Sequence, residues 1–315
     1  MFAGIDVSKD WFDVAWLVDG QVRSARFDYS DSGIEQLLEQ VPAGHTFVME
    51  ATGTYHVQLA LKLVQAARQV SVVNPLVIKR YGQMKLKRAK TDRADAQLIM
   101  RYGYSERPAL WAAAHEEVQE LQQAHGWLHD LITERVRLLN RQHAHARRAK
   151  PSEFVVSQMQ LQLQQLNQRI QQCEQHLEEL VKKSFAELYA RLKSIPSIGS
   201  KTALELIIIT DGFTRFDDVK QLCAYVGVSP TTYSSGSSVR GKGSIAKLGQ
   251  PRMRQLIYLC SWTAKIKNPA CQQLHERMSI LGKPKKVINI AIAHKLLRQA
   301  WAVATQKVYF NPNFT

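Results

Sequence analysis

The chain is poor in cysteine, in acidic residues and in long apolar runs, and each shortage removes a class of protein. Its four cysteines, Cys173, Cys223, Cys260 and Cys271, stand far apart. None forms a C-x-x-C pair, which argues against a zinc site and against a disulfide framework. No apolar stretch reaches the roughly 18 residues of a membrane span. The N-terminal run Met1-Phe2-Ala3-Gly4-Ile5-Asp6 lacks the basic and apolar regions of a secretory signal. The expected location is cytoplasmic, with no membrane partner. Acids number 27 against 42 Lys+Arg, a formal net charge of +15. That surplus favours a polyanionic partner, because Lys and Arg neutralise phosphates and release counterions.

Against this basic background four acids stand out: Asp6, Glu50, Asp92 and Asp95. Asp6 and Glu50 lie at the ends of apolar runs that read as buried strands, where an unpaired carboxylate is costly. Asp92 and Asp95 are three apart at a helix start and share one face. Carboxylates gathered from separate elements suit Mg²⁺, a hard cation that prefers oxygen ligands. Such a site in a basic protein points to phosphodiester chemistry on nucleic acid.

The element pattern gives these acids a frame. Phe2–Val7, Trp11–Val18 and Gln21–Tyr29 read as three strands, with a hairpin turn at Asp19-Gly20. Ser30 or Asp31 is placed to cap the next helix. A strand over 45–50, a helix over 55–68 capped at Thr54, and a strand over 70–73 follow. This order is that of an RNase H-like domain, an analogy of fold only. Residues 79–93 hold Lys79, Arg80, Lys85, Lys87, Arg88, Lys90 and Arg93 and lead into Asp92 and Asp95. They read either as a solvated loop or as a track for a phosphate backbone.

A long polar helix over 115–148 carries Val118, Leu121, Leu128, Ile132 and Leu139 on one stripe, and Pro151 interrupts it. The next helix spaces Met159, Leu163, Leu166, Ile170, Cys173, Leu177 and Leu180 by alternating fours and threes, a coiled-coil seam. Its partner is either another copy of the chain or another helix of the same copy. We expect self-association through it. The expected domains are 1–148, ending in the long helix, 149–190 as coiled coil, and 191–315 as a mainly helical domain.

The last segment contains Tyr233-Ser234-Ser235-Gly236-Ser237-Ser238-Val239-Arg240-Gly241-Lys242-Gly243-Ser244, with Lys247 beyond it. A Ser/Gly-rich run is commonly a flexible linker. This one lies between apolar helices and is interleaved with cations that suit phosphoryl oxygens. It holds no histidine, so a Ser–His pair within the loop is excluded.

Together these motifs resemble the DEDD transposases of bacterial insertion sequences, with the Piv-type DNA invertases as relatives. The resemblance is carried, in order, by Gly4-Ile5-Asp6-Val7-Ser8-Lys9, Met49-Glu50-Ala51-Thr52-Gly53-Thr54-Tyr55, Val73-Asn74-Pro75, Lys90-Thr91-Asp92-Arg93-Ala94-Asp95-Ala96, the turn at 194–199 and Ser234-Ser235-Gly236-Ser237-Ser238-Val239-Arg240-Gly241. It implies a RuvC-type N-terminal domain in which Asp6, Glu50, Asp92 and Asp95 bind Mg²⁺. It implies a coiled-coil linker and a C-terminal domain whose Ser235 is the nucleophile. It further implies donor and target DNA as substrates, a structured noncoding bridge RNA as guide, and a tetramer. Lys79, Arg80, Lys85, Lys87, Arg88, Lys90, Arg240, Lys242 and Lys247 are the candidate nucleic-acid contacts. Ile195-Pro196-Ser197-Ile198-Gly199 departs from the family's Ile-Pro-Gly-Ile-Gly at a turn where φ > 0 is expected. The rivals are an actin-like ATPase, a metal nuclease without strand joining, a site-specific invertase and a non-enzymatic nucleic-acid binder.

Overall fold

The computed structural model describes all residues except 52, 87–90, 114, 232–233, 236–238, 241–243, 246–248 and 313–315, and gives the rest of 231–244 as backbone alone. Lys87, Arg88, Lys90, Lys242 and Lys247 of the expected basic contacts lie outside the described residues. The chain forms two compact units, Met1–Ala113 and Ala114–Thr315.

In the first unit, strands β1 (Phe2–Val7), β2 (Trp11–Val18) and β3 (Gln21–Asp28) form an antiparallel meander. Asp19 and Gly20 both take positive φ, the conformation of a two-residue hairpin turn. Helix α1 (Asp31–Gln40) follows, capped by the Ser30 side chain on the Gly33 N–H. Strand β4 (Thr46–Glu50) pairs parallel to β1, helix α2 (Tyr55–Gln65) crosses over, and β5 (Val70–Val73) pairs parallel to β4. The strand order is β3-β2-β1-β4-β5. Thr54 has helical backbone and makes no side-chain cap, contrary to expectation; its φ and ψ already place it inside the first turn. The basic stretch 79–93, expected as a solvated loop or a backbone track, begins inside helix α3 (Pro75–Met84). Asn74 caps the Leu76 N–H and Pro75 takes the first turn, where its missing N–H costs nothing.

Helix α4 (Asp92–Glu106) completes the unit and packs on β1 and β2. Its N-cap is Thr91, whose side chain accepts from the Ala94 N–H. The approach to β1 is close: a Cβ at Gly4 would collide with the backbone of Ala96 and Met100. Gly103 likewise leaves room for the Phe2 ring. These two glycines let the helix lie directly on the strand that carries Asp6.

The second unit opens with α5 (Glu116–Ala146) and α6 (Glu153–Ser194), joined by a short connection. The expected seam of α6 is present, but it is closed within the chain. Leu166, Ile170, Leu177 and Val181 are buried in one core with Leu121, Leu128, Leu131 and Leu138 of α5. An uncovered seam is therefore not available as the reason for self-association. The stripe on α5 also differs from expectation: Leu131 and Leu138 are buried, while Leu139 is 45% exposed. The buried positions 121, 128, 131 and 138 recur at alternating sevens and a three, one face of the helix.

Beyond a kink at Phe185, α6 runs on to Ser194, and Leu188, Tyr189 and Leu192 enter the same core as the terminal helices. Those are α7 (Ser200–Thr210), α8 (Val219–Val226), α9 (Pro251–Lys267), α10 (Pro269–Ile280) and α11 (Lys285–Thr305). Between α8 and α9 the serine-rich run builds nested backbone ladders. Strand β6 (Pro230–Thr231) pairs with β9 (Ser244–Ile245), and β7 (Ser234–Ser235) pairs with β8 (Val239–Arg240). Ser197 sits at φ +86°, the left-handed conformation that the turn demands. Among the described residues, no helix is long and apolar enough to cross a membrane.

Candidate active site

Cross-strand register builds the site. Asp6 of β1 lies directly opposite Asp13 of β2, and Asp13 lies opposite Arg26 of β3. Directly opposed residues project to one face, so the three form a row across the sheet. On the other side of β1, Ile5 pairs with Met49, which puts Glu50 one step on, beside Asp6. Helix α4 brings Asp92 and Asp95 in its first turn. The acids thus come from two strand ends and one helix start, as the spacing indicated.

Their convergence is read in Asp6. Burial, then the charges of Asp95, Asp92, Glu50 and Asp13, push its carboxyl up to about 6 from an ordinary 3.8. Desolvation and like charges both disfavour its ionised form. The donor set is entirely carboxylate oxygen with surplus negative charge, which fits a hard divalent cation. As placed, no three His, Cys, Asp or Glu side chains among the described residues lie close enough to share an ion.

A cation is nevertheless present, in the form of Arg26. Its Nε and Nη2 donate to Asp13 Oδ2 at 3.1 and 2.8 Å, and Nη2 also donates to Asp92 Oδ2 at 3.0 Å. The Trp11 ring covers the guanidinium at 4.9 Å. The hydrogen bond to Asp13, foremost, raises the pKa of Arg26 above its ordinary value. Asp13 and Arg26 escaped the motif reading. Only the pairing of three strands reveals them, since Asp13 alone reads as a polar position in an apolar strand.

In the second unit, Ser235 lies opposite Val239 and Ser234 opposite Arg240 on the inner ladder. Of the expected cations, Lys79, Arg80 and Lys85 are exposed on or just beyond α3. Lys85 lies over the Tyr81 ring. A buried ion cluster also went unforeseen. Glu205 of α7 lies 2.8 Å from His125 Nε2 of α5 and 3.2 Å from Arg252 Nε of α9. The shared oxygen makes no aligned hydrogen bond. It joins the hairpin to the terminal helices.

Comparison with known proteins gives this architecture a class. A DEDD-type transposase model of IS110 elements, described as Transposase, matches residues 3–151. A second model, Transposase IS116/IS110/IS902 family, matches residues 189–276. The pilin gene-inverting protein of Moraxella bovis is 31% identical over 98% of this chain and 97% of its own length. That of Moraxella lacunata is 30% identical with the same coverage. The transposase for insertion sequence element IS1328 of Yersinia enterocolitica is 25% identical over 98% of each chain. The chain belongs to the IS110 family of transposases. Membership makes it an enzyme acting on DNA, of transposase or invertase type, and implies an RNase H-like fold for the first unit. It also points to dependence on a divalent metal.

Proposed function

We propose that the protein cuts and rejoins DNA through a covalent serine intermediate. Asp6, Glu50, Asp92 and Asp95 hold Mg²⁺, and the charge converging on Asp6 is the observation that carries this assignment. When bound, the cation would offset negative charge on phosphoryl oxygens. Ser235 Oγ loses its proton and forms a bond to phosphorus. The bond from phosphorus to a deoxyribose oxygen breaks, and that oxygen takes up a proton. Because a phosphodiester is conserved, attack by a new strand end reverses the step and frees the serine. Arg240, on the strand paired with that of Ser235, contributes positive charge, together with Lys242 and Lys247. Residues 1–148 act as the RuvC-like part, 149–190 as the coiled-coil link and 191–315 as the serine-bearing part.

The family resemblance and the exposed cations Lys79, Arg80 and Lys85, with Lys87, Arg88 and Lys90, support a structured bridge RNA as guide and a tetramer as the working assembly. The test traps denaturation-resistant protein–DNA adducts on a cognate substrate and maps the attached residue. Ser235→Ala is expected to bind nucleic acid normally and to form neither adduct nor joined product. Recombination by that variant, or an adduct on Ser237, would overturn the serine assignment. Cleavage by wild type without joining would favour the metal-nuclease reading.

Site-specific inversion is the second reading, favoured by the near full-length similarity to pilin gene-inverting proteins. A plasmid carrying paired inverted sites separates it from transposition: inversion flips the intervening segment and leaves no insertion elsewhere.

A further inference from the structure

Arg26 stands where the acids converge, yet its two grips are unequal. Both of its donors to Asp13 reach one oxygen of a carboxylate whose side chain is only 9% exposed. Asp92 receives a single bond, and there both partners are about half exposed, 51% and 48%. Asp13 is therefore the anchor. It lies in the middle of β2, fixed by pairing on both sides, and Trp11 packs on the guanidinium it holds. The contact to Asp92 is the one that can exchange, because an exposed ion pair is weak and competes with solvent and ions. Asp92 belongs to the first turn of α4, whereas Asp13 and Arg26 belong to the sheet. The arginine thus ties the helix start to the sheet and puts positive charge among acids that otherwise repel.

We propose that Arg26 is the resident counter-ion of this carboxylate site. It holds Asp92 while no divalent cation is bound and gives it up when one enters. Asp13 is a positioning residue that keeps the guanidinium within reach. The proposal rests on the reading that the acids bind a divalent cation. It predicts competition: Asp92 Oδ2 cannot serve Arg26 at full strength and an incoming cation as well. The bound cation then takes over the neutralising task, so loss of Arg26 should matter most when metal is absent.

The test is a Mg²⁺ titration of the full-length protein, first stripped with chelator, followed by thermal shift and by calorimetry. Wild type, Arg26→Gln, Arg26→Lys and Asp6→Asn are compared. Arg26→Gln should melt lower without metal. Its Mg²⁺ midpoint should fall roughly two- to fivefold below wild type, the range that an exposed ion pair allows. Arg26→Lys keeps charge but loses the second donor to Asp13, so its midpoint should fall by less. A clamp with only a structural role would lower melting equally with and without Mg²⁺ and leave the midpoint unmoved. That outcome, or a raised midpoint, overturns the proposal. If Arg26→Gln does not fold, Arg26→Lys decides it by the same criterion. A wild-type response that Asp6→Asn abolishes, with equal midpoints for the Arg26 variants, removes only the role of Arg26. No Mg²⁺ response in wild type removes the cation site and this proposal together.

Discussion

Half-buried on β1 among four other acids, Asp6 has its carboxyl pushed up to about 6. Its folded pKa lies above the unfolded value of 3.8, so the folded state holds the proton more tightly. Stability from this group is then fully present below pH 3.8 and is lost as pH rises through about 6. Fully buried, a shift of this size is worth about 3 kcal/mol; screening at a partly exposed site leaves about 1 kcal/mol. Asp6→Asn removes the penalty. In chelator at pH 7 it should be about 1 kcal/mol more stable than wild type, and the gap should close by pH 4 in denaturant melts. With Mg²⁺ the order should reverse, because the wild-type charge then has a partner. Ser197 offers a second local test. Its left-handed backbone costs a non-glycine residue about 1–2 kcal/mol, and its Oγ is buried without a hydrogen bond. Glycine gives back roughly 0.5–1 kcal/mol through its freer unfolded chain. Ser197→Gly should therefore raise stability by about 1 kcal/mol, read as a higher denaturant midpoint with unchanged slope.

The helical hairpin shows how far periodicity reaches and where it stops. Spacing on α6 marked the residues that pack, Leu166, Ile170 and Leu177 among them, but spacing cannot say which helix covers a seam. Contact with α5 answers that, and it changes the expected phenotype. Leu177→Ala should cost about 2–5 kcal/mol of stability, while Leu161→Ala, at a position 52% exposed, should cost under about 0.5. A Leu177→Ala effect confined to association, with monomer melting unchanged, would contradict an internal seam. The strand-and-helix order of the first unit was legible because its strands alternate or run apolar and Asp19-Gly20 marks a sharp turn. Helix α3 was hidden because its cations, Lys79 and Arg80, dominate the local composition. Its start lies in Asn74-Pro75, which caps a helix as readily as it ends a strand. The four acids were legible as motifs. Asp13 and Arg26 were not, since their meaning depends on partners 7 and 13 positions away in sequence but adjacent across strands. The serine-rich ladders were equally hidden, because Ser and Gly carry no strand signal.

The whole chain carries a net charge of +15 while its proposed chemistry sits among acids. A bound divalent cation would offset the acids, and the surplus Lys and Arg are left to meet phosphates. Phosphate binding by cations is felt as salt dependence: each neutralised phosphate contributes about −0.9 to the slope of log K against log salt on duplex DNA. Lys79, Arg80 and Lys85 are exposed, and α3 itself contains no Asp or Glu. They lie a few residues before Thr91 and Asp92, the start of the helix that carries two of the acids. Lys79→Glu, Arg80→Glu and Lys85→Glu combined should weaken duplex binding and reduce the magnitude of the salt slope by up to about 2.7, the sum of three phosphate contacts. The Mg²⁺ response in thermal shift should persist, because none of the three contacts the acids. A reduced affinity with the wild-type slope would mean that the variant misfolds locally rather than losing phosphate contacts. An unchanged affinity and slope would remove this helix from the nucleic-acid surface and shift attention to the cations beside Ser235.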